Sequence, residues 1–226
     1  MSLHLVQAGE LHYVALPPDW FRILRPPFPL SARAVLAKTP AARAVLDGAM
    51  LRVCAGEPHD YARYACGVPE YAALDPVTGV FVPSRYPDRG GSLRIVRGRA
   101  SVVPGAHPAS WREPGTTCVW QGYPRIVQGG RNVASTTRDT ERTERAGVGI
   151  FADGRVVFVT ARALSMWAFA EAARRLGIVE LLYSDGGQSR VLAVRVGDRL
   201  AVDDPSNLDA RRLPSFVAAI PPPFGA

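Results

Sequence analysis

The second half of this 226-residue chain has a sharp pattern of apolar and polar positions. Residues 146–152 form an apolar run dotted with glycine, Asp153 and Gly154 interrupt it as a two-residue turn, and residues 155–160 resume it. This is the signature of a β-hairpin. From Ser165 the period changes to that of a helix ending at Leu176: Met166, Phe169, Ala170, Ala173 and Leu176 share one face, and Glu171, Arg174 and Arg175 look away. Ser165 is placed to cap the helix and Gly177 to end it. Residues 179–183 then read as a buried strand running into Asp185, Gly186 and Gly187, and residues 191–196 and 199–202 as a second hairpin around Gly197 and Asp198.

The first half is less regular. Residues 11–16 read as a strand, and residues 17–29, dense in proline and carrying Trp20, Phe21 and Phe28, as an extended segment lying against a core. The alanines with Val35, Leu36, Val45 and Leu46 predict a helix over 31–46, interrupted near Pro40. Asp47 and Gly48 break the chain, and residues 49–53 follow as a strand. Short β-prone runs at 77–82, 92–96, 100–103, 117–120 and 125–127 alternate with glycine and proline, and the polar stretch 135–145 has the composition of a mobile surface loop. The expectation is a single α+β domain over residues 1–226, in which a mixed, largely antiparallel β-sheet is covered by the Ser31 and Ser165 helices and the tail 221–226 is frayed.

Composition narrows the chemistry. A hydrophobic fraction of 47% and a charged fraction of 21% are those of a globular protein. The formal charge is +7, and Lys38 is the only lysine, so the cationic surplus is arginine. Arginine suits anionic substrates because its planar fork meets phosphate or carboxylate oxygens at two points, although codon bias produces the same surplus. The arginines are dispersed, without interleaved aromatics or a recognition-helix pattern, which argues against nucleic acid as a partner. Cys54, Cys66 and Cys118 form no Cys-x-x-Cys pair and have no histidine at ligand spacing, so no structural zinc site is expected; no metal ligand or cofactor is assigned, the metal requirement of any activity is left open, and a Cys54–Cys66 disulfide is open if the protein is exported. The N-terminus lacks the basic start and apolar stretch of a signal peptide, and no run approaches the ~20 apolar residues that span a bilayer. The reading is a soluble protein, cytoplasmic by default with export as the alternative, and its oligomeric state is left open.

The stretch richest in chemistry is Ser184-Asp185-Gly186-Gly187-Gln188-Ser189. A carboxylate directly after a strand, followed by two glycines, sets an acid at a sheet end where backbone can approach a ligand. The run 165–189 resembles the phosphodiester glycosidase family: Ser165, Met166, Phe169, Ala170, Leu176, Gly177, Leu182, Asp185, Gly186, Gly187 and Ser189 fall in register with its Thr-Leu-x-Glu-Leu-Ala helix start, Leu-Gly helix end and Asp-Gly-Gly-x-Ser signature. Upstream, Arg145-Ala146-Gly147-Val148-Gly149-Ile150 is similar to the family's Arg-Thr-Ala-Val-Gly-Ile strand, and Asp47-Gly48-Ala49-Met50-Leu51 stands where the family has Asn-Gly-Gly-x-Phe. Three departures stand out: Asp47 replaces asparagine, Ala168 a glutamate and Gln188 a glycine.

What the resemblance implies is hydrolysis of a sugar joined through its anomeric carbon to a phosphate diester, so the expected partner is an anionic sugar or glycan. Phosphate is a good leaving group, and charge stabilisation matters more there than a strong general acid. Arg145 would supply it, Asp185 would act as nucleophile or as base for a water, and Asp47 would be the second carboxylate. Gly48, Gly186 and Gly187 would let backbone close on the sugar, and Ser189 would orient Asp185 or bind a hydroxyl. Plainer roles compete: Arg145 pairing with Glu141 or Glu144 across a loop, Asp47 as a turn residue, and Trp167 as a partly buried aromatic rather than a sugar platform. An inactive carbohydrate- or phosphate-binding module on the same fold is the alternative function.

Overall fold

The computed structural model describes residues 3–26, 30–47, 73–76, 78, 80–82, 88, 90–105, 113–136, 140–184, 190–210 and 216–222. Three β-sheets organise them. The first has seven strands in the order β1 (Val6–Ala8), β2 (Leu11–Leu16), β13 (Val156–Leu164), β12 (Thr143–Phe151), β14 (Ile178–Tyr183), β10 (Arg125–Gln128) and β11 (Arg131–Asn132). The second runs β16 (Arg199–Val202), β15 (Leu192–Val196), β4 (Ala44–Asp47), β17 (Phe216–Ala219) and β3 (Phe21–Leu24). The third runs β6 (Val80–Val82), β5 (Ala73–Asp75), β9 (Thr116–Gly122), β7 (Gly91–Val96) and β8 (Arg99–Pro104). Every pairing among the described strands is antiparallel.

The apolar run that opens β13, residues 156–159, follows from burial on both faces of the first sheet. On one face Val156 and Phe158 join Val14, Leu16, Ala146, Val148 and Leu182 in a cluster that also takes Phe21, Ile23, Leu46, Leu192 and Val217 from the second sheet and Leu93, Ile95, Cys118 and Trp120 from the third. On the other face Val157, Val159 and Ala161 pack with Leu181 and Tyr183 beneath the helix α2 (Met166–Arg175). A strand covered on both sides has no solvent face to mark with polar residues. Full burial of a side chain such as Phe158 contributes roughly 1.5–3 kcal/mol.

Helix α2 matches its expected pattern. Met166, Phe169, Ala170 and Ala173 are buried, and the Ser165 hydroxyl accepts from the N–H of Ala168 at 3.2 Å. The first helix is shorter than expected. α1 (Ala32–Lys38) is capped by the Ser31 hydroxyl, but Ala44–Asp47 is the central strand β4, paired with β15 and β17. Proline ends the helical run, and Val45 and Leu46 bury opposite faces of a strand whose partners lie far along the chain. A 3-10 turn at Pro18–Trp20 and the single turn α3 (Asn207–Ala210) complete the helices among the described residues.

The α+β expectation of one sheet covered by helices is therefore corrected to a largely β structure, in which the face of the main sheet opposite α2 is covered by two further sheets. Strands β3 and β17 come from segments expected to be merely extended or left unassigned, and Thr143–Arg145, expected in a loop, begins β12. The expected strand at 49–53 and the Cys54–Cys66 pair lie outside the described residues.

Candidate active site

Three sheets converge where β14 ends. The N–H of Ser184 donates to the carbonyl of Ala146 at 3.0 Å, and its hydroxyl lies 2.8 Å from the carbonyl oxygen and 3.1 Å from Oδ2 of Asp47. Asp47 is the last residue of β4, and its N–H reaches the carbonyl of Val191 at 3.4 Å. Both Ser184 and Asp47 are 1% exposed. The third sheet arrives through β9: the N–H of Tyr123 donates to the carbonyl of Tyr183 at 3.1 Å, and the N–H of Tyr183 donates to the carbonyl of Pro124 at 2.9 Å. This approach requires glycine. A Cβ on Gly122 would sit 2.8 Å from the Tyr183 carbonyl oxygen, and one on Gly147 would sit 2.9 Å from that of Leu182.

Arg145 lies at the same end of the sheet, on the α2 face. It pairs with Ala161, and its guanidinium stands over the Tyr183 ring, 5.8 Å from the centroid. Nε donates to the carbonyl of Leu164 at 2.9 Å, Nη2 to the carbonyl of Glu141 at 2.8 Å, and Nη1 reaches the Tyr183 hydroxyl at 3.4 Å. Strand side chains alternate between faces. Ser184, next to Tyr183, accordingly turns to the other face, where Asp47 meets it. The two described members of the expected catalytic set thus flank the end of β14 from opposite sides. The simple pairing of Arg145 with the Glu141 carboxylate gives way to a bond to the Glu141 backbone, and a 3% exposed guanidinium replaces the surface contact.

A second polar group, not singled out in the sequence, adjoins Asp47. Arg190 is fully buried and forms ion pairs with Asp203, with Glu144 at 3.3 Å and with Asp204 at 3.2 Å. The Asp203 carboxylate also accepts from the Thr160 hydroxyl at 2.7 Å, from the N–H of Leu192 at 3.0 Å and from that of Asp204 at 2.8 Å. Arg162 closes the group through the Asp203 carbonyl and the Asp204 carboxylate, each at 3.0 Å. Asp204 is held below the usual carboxylate range: burial opposes ionisation, and the bonds from Ser206 together with the positive charges of Arg162 and Arg190 outweigh it. The only local hint of this group is the Asp203-Asp204 pair closing a strand, because its partners come from four separate stretches of chain.

Asp185, Gly186, Gly187, Ser189 and Gly48 lie outside the described residues; their described neighbours Ser184, Arg190 and Asp47 are brought to one corner. Trp167 is 42% exposed on the first turn of α2. Among the described residues no cluster of three or more His, Cys, Asp or Glu could hold a metal, and no helix is long and apolar enough to cross a membrane. A surface hollow of about 640 Å³ opens at the other end of the main sheet, around Tyr13, Phe151, Asp153 and Arg155. Phe151 ends β12, far along the sheet from Ser184.

A model of the phosphodiester glycosidase family matches residues 76–220, more than half of the chain. Among solved structures the fold is similar to the catalytic domain of zebrafish N-acetylglucosamine-1-phosphodiester alpha-N-acetylglucosaminidase, auto-inhibited by its pro-peptide, with a TM-score of 0.64 at 14% identity over 96% of this chain and 81% of that one. It is also similar to a hypothetical protein from Synechocystis, with a TM-score of 0.52 at 14% identity over 96% of this chain and 61% of that one. A putative exported protein from Burkholderia pseudomallei gives a TM-score of 0.52 at 12% identity over 93% and 74% of the two chains. No curated protein sequence matches significantly. The family match spans β6 to β17 and the segment from Arg145 to Ser189 that carries the motif resemblance, and on that match the chain belongs to the phosphodiester glycosidase family.

Proposed function

We propose that the chain hydrolyses the bond between the anomeric carbon of a sugar and a phosphate diester. One observation carries the reading: the Ser184 hydroxyl, immediately before Asp185, is hydrogen-bonded to Asp47, 137 positions away. Two stretches that resemble the family's motifs, widely separated in sequence, therefore meet at one corner. In this reading Asp185 is the nucleophile or the base for a water, and Asp47 is the second carboxylate, oriented by Ser184. Arg145 stabilises charge on the departing phosphate, which needs electrostatic help more than a proton. Gly48, Gly186 and Gly187 admit the sugar to the backbone, and Ser189 orients Asp185 or binds a hydroxyl.

The second reading, a binding module without catalysis, has specific support. Ala168 stands where the family helix carries glutamate, and two donor positions of Arg145 are committed to the carbonyls of Leu164 and Glu141. Release of free reducing sugar from a sugar-1-phosphate diester separates the two readings. Wild type is expected to turn over, and Asp185→Asn to lose ~10²–10⁴-fold in kcat. Equal turnover by the variant removes Asp185 from the chemistry, whereas binding of the diester by a wild type that never turns it over establishes the module.

A further inference from the structure

We infer that Arg190 and Asp203 act as positioning residues for Asp47, an inference that rests on the catalytic reading of that carboxylate. Asp203 holds the start of β15 through two bonds to a single residue: its N–H donates to the carbonyl of Leu192 at 3.1 Å, and its carboxylate accepts the N–H of Leu192 at 3.0 Å. Leu192 is paired with Leu46, and the carbonyl beside it, that of Val191, takes the N–H of Asp47. The place from which Asp47 is presented is thus set on one side by Ser184 and on the other by the β15 backbone that Asp203 grips.

Arg190 makes that grip possible. Asp203 has no exposed side-chain surface, and a buried carboxylate is retained only where charge and hydrogen bonds both compensate its lost hydration. Arg190 supplies the charge. Thr160 ties the same carboxylate to β13, where it pairs with Ala146 of β12, the residue whose carbonyl accepts from Ser184. The bonds around Asp203 and the bonds around Asp47 therefore meet on neighbouring strands of one sheet face. Well-packed apolar residues often fill such a site at least as stably as an ion pair does, so geometry rather than stability is the reason we assign for the pair.

The test is the charge-free double variant Arg190→Met with Asp203→Asn. Asparagine keeps a carbonyl oxygen for the N–H groups of Leu192 and Asp204, and removing both charges together leaves neither one buried alone. The expected result is an unchanged Tm, a kcat on a sugar-1-phosphate diester reduced at least tenfold with KM altered less than threefold, faster hydrogen exchange at the N–H of Asp47, and partial recovery of kcat in Arg190→Lys. Wild-type kcat and wild-type exchange at Asp47 in the double variant would overturn the inference. So would failure of the double variant to fold, since the pair would then be holding the structure as a whole. If wild type turns over no diester, the catalytic reading fails by itself, and the exchange measurement still reports whether the pair positions Asp47.

Discussion

Single residues at the corner of the three sheets are set by space as much as by chemistry. Gly122 lies between Trp120 and the Tyr183 carbonyl, and a methyl group there would stand 2.8 Å from a Trp120 ring atom, 2.8 Å from the Leu182 Cβ and 2.8 Å from the carbonyl oxygen. Two of those neighbours are backbone or Cβ atoms and cannot swing aside. Gly122→Ala is therefore expected to destabilise the protein by ~1–3 kcal/mol, as overpacking does, and to displace Ser184. A lower urea midpoint with an unchanged m-value would bear this out, and an unchanged midpoint would show that the β9 and β14 ends part freely. Residues of this kind are hard to find in a sequence, because a glycine needed for close approach looks the same as one needed for a turn. Asp47 stands out in the sequence by its place in a stretch that resembles a family motif, whereas Ser184 stands out only through its bond to Asp47.

Among the elements, α2 followed most directly from the pattern of its own residues. Its capping serine, apolar stripe and outward charges are local properties that no distant partner has to supply. On its outer side Glu171 is bonded to Arg174, at 2.7 Å, and to Arg175, at 3.0 Å. The bond from Arg174, joined by the weaker one from Arg175, brings the Glu171 carboxyl down to about 2. A carboxyl whose folded pKa lies below its unfolded value contributes stability above the unfolded pKa, about 4.3, and loses it as pH falls through the folded one. Wild type is thus expected to lose more stability than Glu171→Gln between about pH 5 and pH 2. The difference should shrink in high salt, because the group is solvent-facing. Parallel Tm-against-pH curves for the two proteins would contradict it. The stretch that became β4 went the other way: Ala44–Asp47 sits beside a helix in a run of helix formers, and only pairing with β15 and β17 makes it a strand.

For the molecule as a whole, the core at the junction of the three sheets sets what solvent can reach. Cys118 is fully buried there, and its thiol is raised well above the ordinary value, first by burial and then by the nearby Asp75 carboxylate. The thiolate is the reactive form. Mass-spectrometric mapping of alkylation at pH 8 should find Cys118 unmodified in the native protein and modified in denaturant, at a rate that follows global unfolding; rapid native labelling would mean that the core opens locally. Local signals settled much of this molecule in advance: the glycine-punctuated strands, the hairpin at Asp153 and Gly154, the α2 face, and the signature that ties the chain to its family. Each depends on neighbours within a few residues, where backbone periodicity and capping chemistry act. Tertiary structure alone decided that the strands form three sheets, that Arg145 faces α2 while Asp47 meets Ser184, and that Arg190 and Asp203 lie beside them. Those outcomes are long-range pairings, and they exist only after loop closure has brought distant strands into register and water has been driven from between them.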